Sequence, residues 1–253
     1  MNKSLLTLSA VCLLIVASCS KSKNDPEPDK EQTCKVKLVE HTYTSGNGNK
    51  TDKYYYSYDG EGRITRVDYG KEQSNEVETF TYTANKVTWK GVDGDVEVYN
   101  LDANGRITTV VQGDDILKFK YNTDGQLIEV GTGDDIETFT YLNGNLVTSS
   151  YDAKIWMSLS YGGNEVKNSI VYAWVFGELL DYDEIGYRVA PFIGKLSKNL
   201  PSKIIYEPGA DQTTANLTYT SDASGKLTSV KMVSSSGTSD SFTSEYKFTY
   251  ECK

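Results

Sequence analysis

The stretch Tyr58-Asp59-Gly60-Glu61-Gly62-Arg63-Ile64 returns as Leu101-Asp102-Ala103-Asn104-Gly105-Arg106-Ile107, and again as Tyr121-Asn122-Thr123-Asp124-Gly125-Gln126-Leu127. Looser copies keep the plan: Tyr82 with Asn85-Lys86-Val87, Tyr141-Leu142-Asn143-Gly144-Asn145-Leu146, Tyr161-Gly162-Gly163-Asn164, and Tyr219 with Gly225-Lys226-Leu227. The turn residues 62, 85, 105, 125, 144 and 163 stand 23, 20, 20, 19 and 19 apart. One unit of about 20 residues therefore repeats, the signature of an architecture built from a single supersecondary element.

Each unit reads as a β-hairpin. Ahead of the turn, large apolar residues alternate with Thr, Ser, Lys or Glu: Tyr54, Tyr56, Tyr58; Phe80, Tyr82; Phe119, Tyr121; Phe139, Tyr141; Leu159, Tyr161; Tyr246, Phe248, Tyr250. Period-two alternation of aromatic residues marks a half-buried strand. Asp-Gly, Asn-Gly and Gly-Gly supply the positive φ of tight turns. After each turn the apolar pair sits three apart (Ile64 and Val67, Ile107 and Val110, Leu127 and Val130, Leu227 and Val230). That spacing requires either a β-bulge or apolar cover on both faces.

The pattern breaks between about 165 and 205. Ile170, Val171, Tyr172, Trp174, Val175 and Phe176 form an apolar run without alternation. Farther on, Ile185, Val189, Phe192, Ile193 and Leu196 fall at near-helical intervals. Asp183 is placed to cap a helix of about two turns, and Pro191 opposes a longer one. Leu200-Pro201-Ser202-Lys203-Ile204-Ile205-Tyr206 re-enters a strand. The expected fold is all-β: an antiparallel meander of repeated hairpins forming a closed or nearly closed barrel-like sheet. One short helical or irregular insertion near 175–200 is expected to cover an opening or edge. Roughly 14–16 strands make a ring too wide for its own side chains to fill.

The N-terminus reads as a processing segment. Lys3 precedes an apolar run from Leu5 to Ala17 that is too short to span a bilayer as a helix. Val16-Ala17-Ser18-Cys19 resembles the lipobox of bacterial lipoproteins. The resemblance implies a signal peptide over residues 1–18, lipidation of Cys19 and a membrane partner held through acyl chains. Residues 19–33 follow as a polar, proline-containing tether, leaving 34–253 as one β domain. The acidic run behind Cys19 resembles surface-export signals of Gram-negative gut bacteria, implying the outer membrane, with the cell surface favoured over the periplasmic face.

Of four cysteines, Cys12 leaves with the signal peptide and Cys19 is acylated. Cys34 and Cys252 remain at the two extremities of the domain in an oxidising compartment. A disulfide between them is expected, with two unpaired structural thiols as the alternative. A bond would make the first and last strands neighbours.

The units look like the Tyr-Asp repeats of Rhs-type shell proteins, of form Tyr-x-Tyr-Asp-x-x-Gly-Arg-Leu, which Tyr56-Ser57-Tyr58-Asp59-Gly60-Glu61-Gly62-Arg63-Ile64 matches almost throughout. With the lipobox, Gly194-Lys195-Leu196-Ser197-Lys198-Asn199-Leu200-Pro201 and the closing Phe248-Thr249-Tyr250, residues 34–253 resemble a lipoprotein family of gut bacteria classed as a domain of unknown function with a porin-like fold. That resemblance implies a barrel-like sheet and no catalytic residues.

Composition narrows the chemistry. With 26 basic and 35 acidic residues, net charge −9, the chain is a poor electrostatic match for nucleic acid. His41 is the single histidine, so a histidine zinc cluster is excluded and any Ser-His-Asp triad would rest on this residue. No glycine-rich phosphate loop is present, and no cofactor is expected. Carboxylates leave one catalytic route, a glycan hydrolase with two acids facing each other across a cleft. Asp93, Asp95, Asp114, Asp115, Asp134 and Asp135 recur near the repeat interval and are weak calcium candidates, because they lack the ligand spacing of a calcium loop. Nineteen tyrosines and three tryptophans favour a non-catalytic binding or scaffold module for a glycan or protein ligand. Trp156 and Trp174, which stand outside the repeat's core positions, are the candidate platforms. An integral outer-membrane barrel is disfavoured by short strands.

Overall fold

The computed structural model describes residues 34–46, 48–70, 76–176, 190–209, 212–236 and 241–252. Residues 1–33, on which the expected signal peptide, the acylation of Cys19 and the expected tether fall, lie outside the described residues, as does Asp183. The first half of the sheet comprises β1 (Cys34–Ser45), β2 (Gly48–Tyr58), β3 (Ile64–Asp68), β4 (Val77–Thr83), β5 (Lys86–Lys90), β6 (Val96–Leu101), β7 (Ile107–Gln112) and β8 (Asp115–Tyr121). The second half comprises β9 (Leu127–Thr132), β10 (Asp135–Leu142), β11 (Asn145–Tyr151), β12 (Lys154–Glu165), β13 (Asn199–Tyr206), β14 (Thr213–Ser221), β15 (Leu227–Ser236) and β16 (Phe242–Cys252). Helix α1 (Ser169–Phe176) and a 3-10 turn, Ala190–Phe192, lie between β12 and β13.

Each strand pairs antiparallel with its sequence neighbours, and β16 returns to β1, so the sheet is a closed barrel of these sixteen strands. Closure leaves no strand edge to template pairing with another chain. The seam runs from the pair Cys34–Cys252 to the pair Thr44–Thr243. The expected disulfide closes it, with the two Cα atoms 4.0 Å apart. Because the bond joins residues 218 apart in sequence, chain-entropy accounting assigns it on the order of 5 kcal/mol.

The three-residue spacing after each turn is resolved by a bulge. Tyr58 pairs with Ile64 and Ser57 with Arg66, so Thr65 is an extra residue. The same shift makes Thr108, Ile128, Val147 and Thr228 extra residues in later units. One added residue returns Val67, Val110, Val130 and Val230 to the inner face, where all four are buried. Several turns at this end are longer than two-residue hairpin turns, although 84–85 and 143–144 are of that short kind. In loop 102–106, Gly105 N–H donates to Asp102 O (3.0 Å) and Asp102 N–H to Arg106 O (2.8 Å), with Gly105 at φ +75°. Asp102 Oδ1 accepts from the N–H groups of Asn104 (2.8 Å) and Arg106 (2.9 Å). Asp59 and Asp222 repeat this arrangement.

The Arg-Ile dipeptide of one unit receives the tyrosine of the next. Arg63 lies 4.4 Å from the centre of the Tyr82 ring, and the Tyr82 hydroxyl donates to Ile64 O at 2.7 Å. Arg106 stacks on Tyr121 at 4.6 Å while Tyr121 donates to Ile107 O at 2.8 Å. Lys35 with Tyr58, and Lys226 with Tyr250, complete the set, their tyrosines donating to Val36 O and Leu227 O. Tyr161 and Tyr219 make the carbonyl bond as well. These contacts join adjacent strands at the end of the barrel that carries Cys34 and Cys252, here called the seam end.

The insertion stops this end from the inside. The run Ile170–Phe176, which showed no alternation, is the helix: Asn168 Oδ1 caps the N–H groups of Ile170 (2.9 Å) and Val171 (3.2 Å). Its apolar residues surround the axis because it is buried on all sides. Eight residues are too few to hold a helix in water, but burial of Ile170, Val171 and Val175 contributes roughly 1.5–3 kcal/mol each. From its start beside β12, α1 reaches strands across the barrel: Trp174 Nε1 donates to the Tyr56 hydroxyl at 2.9 Å, and its ring packs on Tyr54 and Tyr246. Phe192 meets Tyr82 and Tyr99. Gly194, at φ +77°, bridges to Gln126; a Cβ there would stand 2.5 Å from Gly125 O.

Two outcomes test this framework. Tyr121→Phe leaves Ile107 O without its donor, and is expected to lower unfolding free energy by about 1–2 kcal/mol in urea titrations, with the slope unchanged. The second concerns alkali. Burial pushes the phenols of Tyr82, Tyr172 and Tyr250 up to about 12 and raises those of Tyr58, Tyr121, Tyr141, Tyr161 and Tyr219. Below the ordinary phenol pKa of about 10 folded and unfolded chains both hold these groups neutral, so the stability they contribute is intact. Above it the unfolded chain releases protons first, and stability falls from about pH 10 toward 12. The tyrosinate absorbance of these eight groups is expected to rise together with loss of the barrel's circular dichroism; their ionisation near pH 10 in the intact barrel would contradict the burial argument.

Candidate functional site

The alternation of the strands sorts chemistry between the two faces. On β4, Glu78, Phe80 and Tyr82 point inward while Val77, Thr79, Thr81 and Thr83 point outward. On β8 the outer positions are Ile116, Lys118 and Lys120; on β16 they include Glu245, Lys247, Thr249 and Glu251. The outer face is thus mainly Thr, Lys and Glu, with scattered apolar residues such as Val77 and Ile116, and the apolar core lies inside. A membrane-spanning barrel needs the reverse, an apolar band on strands of about 9–11 residues. Strands β3 through β11 have 5 to 8 residues.

Three carboxylates sit among the inward residues. Glu78 accepts from the Tyr69 hydroxyl (2.5 Å) and Trp89 Nε1 (3.1 Å). Glu97 accepts from the Tyr99 hydroxyl at 2.7 Å. Glu137 accepts from Ser149 Oγ and from Trp156 Nε1 at 3.0 Å. All three are at most 2% exposed, where hydrogen bonds offset the cost of desolvation. Sequence reading missed them, although a signal was present. Glu78-Thr79-Phe80, Glu97-Val98-Tyr99 and Glu137-Thr138-Phe139 each place the acid in phase with the core aromatic.

The tryptophans proposed as platforms are spent in this interior. Trp156 is the extra residue of a bulge, since Ser149 pairs with Met157 and Ser150 with Ile155. The bulge turns its indole in toward Glu137 and leaves Ile155 half exposed. Trp174 belongs to α1, with Tyr54, Tyr56 and Tyr246 around it. Both are partly buried and pack against the core. His41 stacks on Tyr246 with ring centres 4.4 Å apart, and its Nε2 lies 3.3 Å from Ser244 Oγ.

The calcium candidates do fall at one end. Loops 91–95, 113–114 and 133–134 all lie opposite the seam end, on successive hairpin tips. Among the described residues no group of three His, Cys, Asp or Glu side chains is gathered to hold a metal ion. The tips carry another feature. A cleft of about 440 Å³ opens among Asp134, Ile136, Thr138, Ser150, Tyr151 and Asp152. Tyr151 is 46% exposed, and its hydroxyl donates to Asp135, which holds the phenol above its ordinary range. The adjoining turn has Asp152 at φ 47° and Ala153 at φ 56°, a left-handed pair made without glycine at a cost of about 1–2 kcal/mol per residue. Val96, Ile116 and Ile155 extend the exposed apolar surface around this rim.

Solved structures that resemble the barrel include two from Bacteroides. A porin-like protein from Bacteroides uniformis ATCC 8492 matches with TM-score 0.64 and 20% identity, over 85% of this chain and 98% of that one. A porin-like protein from Bacteroides vulgatus ATCC 8482 matches with TM-score 0.55 and 13% identity, over the same shares. At these identities the likeness is one of fold. No curated protein matches the chain. Residues 56–229, which carry the repeats from the first tyrosine motif to the last, match the family described as a domain of unknown function (DUF4595) with porin-like fold, and the chain belongs to that family.

Proposed function

We propose that this protein is an exported, lipid-anchored module of the outer membrane, displayed at the cell surface, that binds a glycan without catalysing its breakdown. The observation that carries the reading is the exposed Tyr151 ring at the mouth of an acidic, hydroxyl-lined cleft on the end opposite Cys34. Cys34, the first described residue of the barrel, lies at the seam end, opposite this cleft. Cys34 follows Cys19 by fifteen positions, a span of at most about 50 Å when extended. A sugar presents C–H groups to an aromatic face and hydroxyls to carboxylates, and Tyr151 with Asp134, Asp152, Thr138 and Ser150 offers both. The polar outer wall suits a barrel bathed in water, which agrees with an anchor rather than insertion.

Binding of the domain 34–253 to a panel of host and dietary polysaccharides tests the site. A saturable signal is expected for one glycan class, weakened at least about tenfold by Tyr151→Ala. Trp174→Ala is expected to lower stability instead. Silence across the panel, or binding indifferent to Tyr151→Ala, overturns the rim site. The anchor is tested separately: labelled fatty acid is expected in the wild-type chain made in a Gram-negative host and lost in Cys19→Ser. Equal labelling of the two chains rejects acylation at Cys19.

A further inference from the structure

The seam disulfide stands beside a positive charge. Lys226 Nζ lies 3.2 Å from Cys34 Sγ and 3.3 Å from Cys252 Sγ. The repeat brings it there, since Lys226 occupies in the last loop the place of Arg63 and Arg106 in earlier ones. Those guanidinium groups turn back onto their own loop aspartates, Arg63 Nε to Asp59 Oδ2 at 2.7 Å and Arg106 Nη2 to Asp102 Oδ2 at 2.6 Å. The ammonium of Lys226, 5.1 Å from the Tyr250 ring centre, is instead placed to donate to both sulfurs. Neither cysteine is sealed in the core; both are partly exposed at the barrel's end.

The geometry points to the Cys34–Cys252 bond as a site of thiol–disulfide exchange, open to an external dithiol and activated by Lys226. A thiolate of the dithiol attacks one protein sulfur and forms a new S–S bond. The Cys34–Cys252 bond breaks, and its electron pair leaves on the other sulfur as a thiolate beside the ammonium. The reagent's second thiolate then displaces the protein from the mixed disulfide, so the protein gains two electrons and the dithiol leaves oxidised. A fixed cation draws in the attacking anion and stabilises the departing one, which accelerates both events. The seam ladder still aligns Cys34 with Cys252, so the released thiols remain placed to reclose.

The test is the rate at which excess dithiothreitol reduces the purified full chain at neutral pH and low salt, followed by maleimide tagging and mass measurement. Lys226→Gln is expected to slow reduction by about tenfold, with Lys226→Arg retaining most of the rate. Added sodium chloride is expected to slow the wild type toward the Gln variant, because salt screens an exposed charge. Equal rates for wild type and Lys226→Gln overturn the proposal. Should circular dichroism show that the Gln variant does not fold, a wild-type rate independent of salt overturns it equally.

Discussion

A sheet made of short polar-faced hairpins has two edges, and every unpaired N–H and C=O along them invites another strand. Here the first strand is hydrogen-bonded to the last, and the bond between Cys34 and Cys252 holds that pairing at its outer end. The rest of the architecture depends on this seam. Closure makes one face of every strand an interior, so a residue's place in the period-two alternation becomes its environment. It also produces a ring wider than its own side chains can fill, which is why the chain leaves the repeat after β12 and sends an apolar helix inward.

Repetition makes the closure possible with a modest vocabulary. In each good copy the aspartate orders the loop, the glycine takes the left-handed conformation, and the cation lies on the next unit's tyrosine. The residue after the cation offers its carbonyl to that tyrosine's hydroxyl. The motif is therefore a device for joining units as well as for making turns. Substitutions within it have visible consequences. Leu101 replaces the tyrosine and brings no hydroxyl, Gln126 replaces the cation and instead bridges to Gly194, and Lys226 carries its charge to the disulfide.

The polarity of the wall separates this barrel from a pore through lipid while leaving the fold the same. Thr79, Lys118, Thr138 and Lys247 face outward, and the phenylalanines beside them in sequence face in. The two ends then differ in kind. Loops 59–63, 102–106 and 222–226 lie at the seam end, where α1 and Gly194 close the interior. The opposite tips carry aspartates and exposed Tyr151, a surface whose chemistry suits recognition.

How much of this was legible in the residue order depends on the range of the interaction responsible. The hairpin unit and the all-β class follow from spacing and composition, because turn chemistry and strand alternation act over a few residues; the Cys34–Cys252 bond was one of two readings, decided only when closure set the two residues side by side. The choice between a bulge and two apolar faces was open, since both satisfy a three-residue spacing until a partner strand shows which residue is extra. Trp156 read as an outlier to the core pattern for the same reason: its bulge exists only against Ser149 and Ser150. The run at 170–176 did not announce a helix, because burial on all sides erases the periodic apolar stripe. The rim cleft forms only where β10 and β11 pair, and the contact of Lys226 with both sulfurs joins opposite ends of the chain. Local order determined the repeating unit; only closure of the sheet decided inside from outside, and which distant side chains meet, because those depend on through-space pairing.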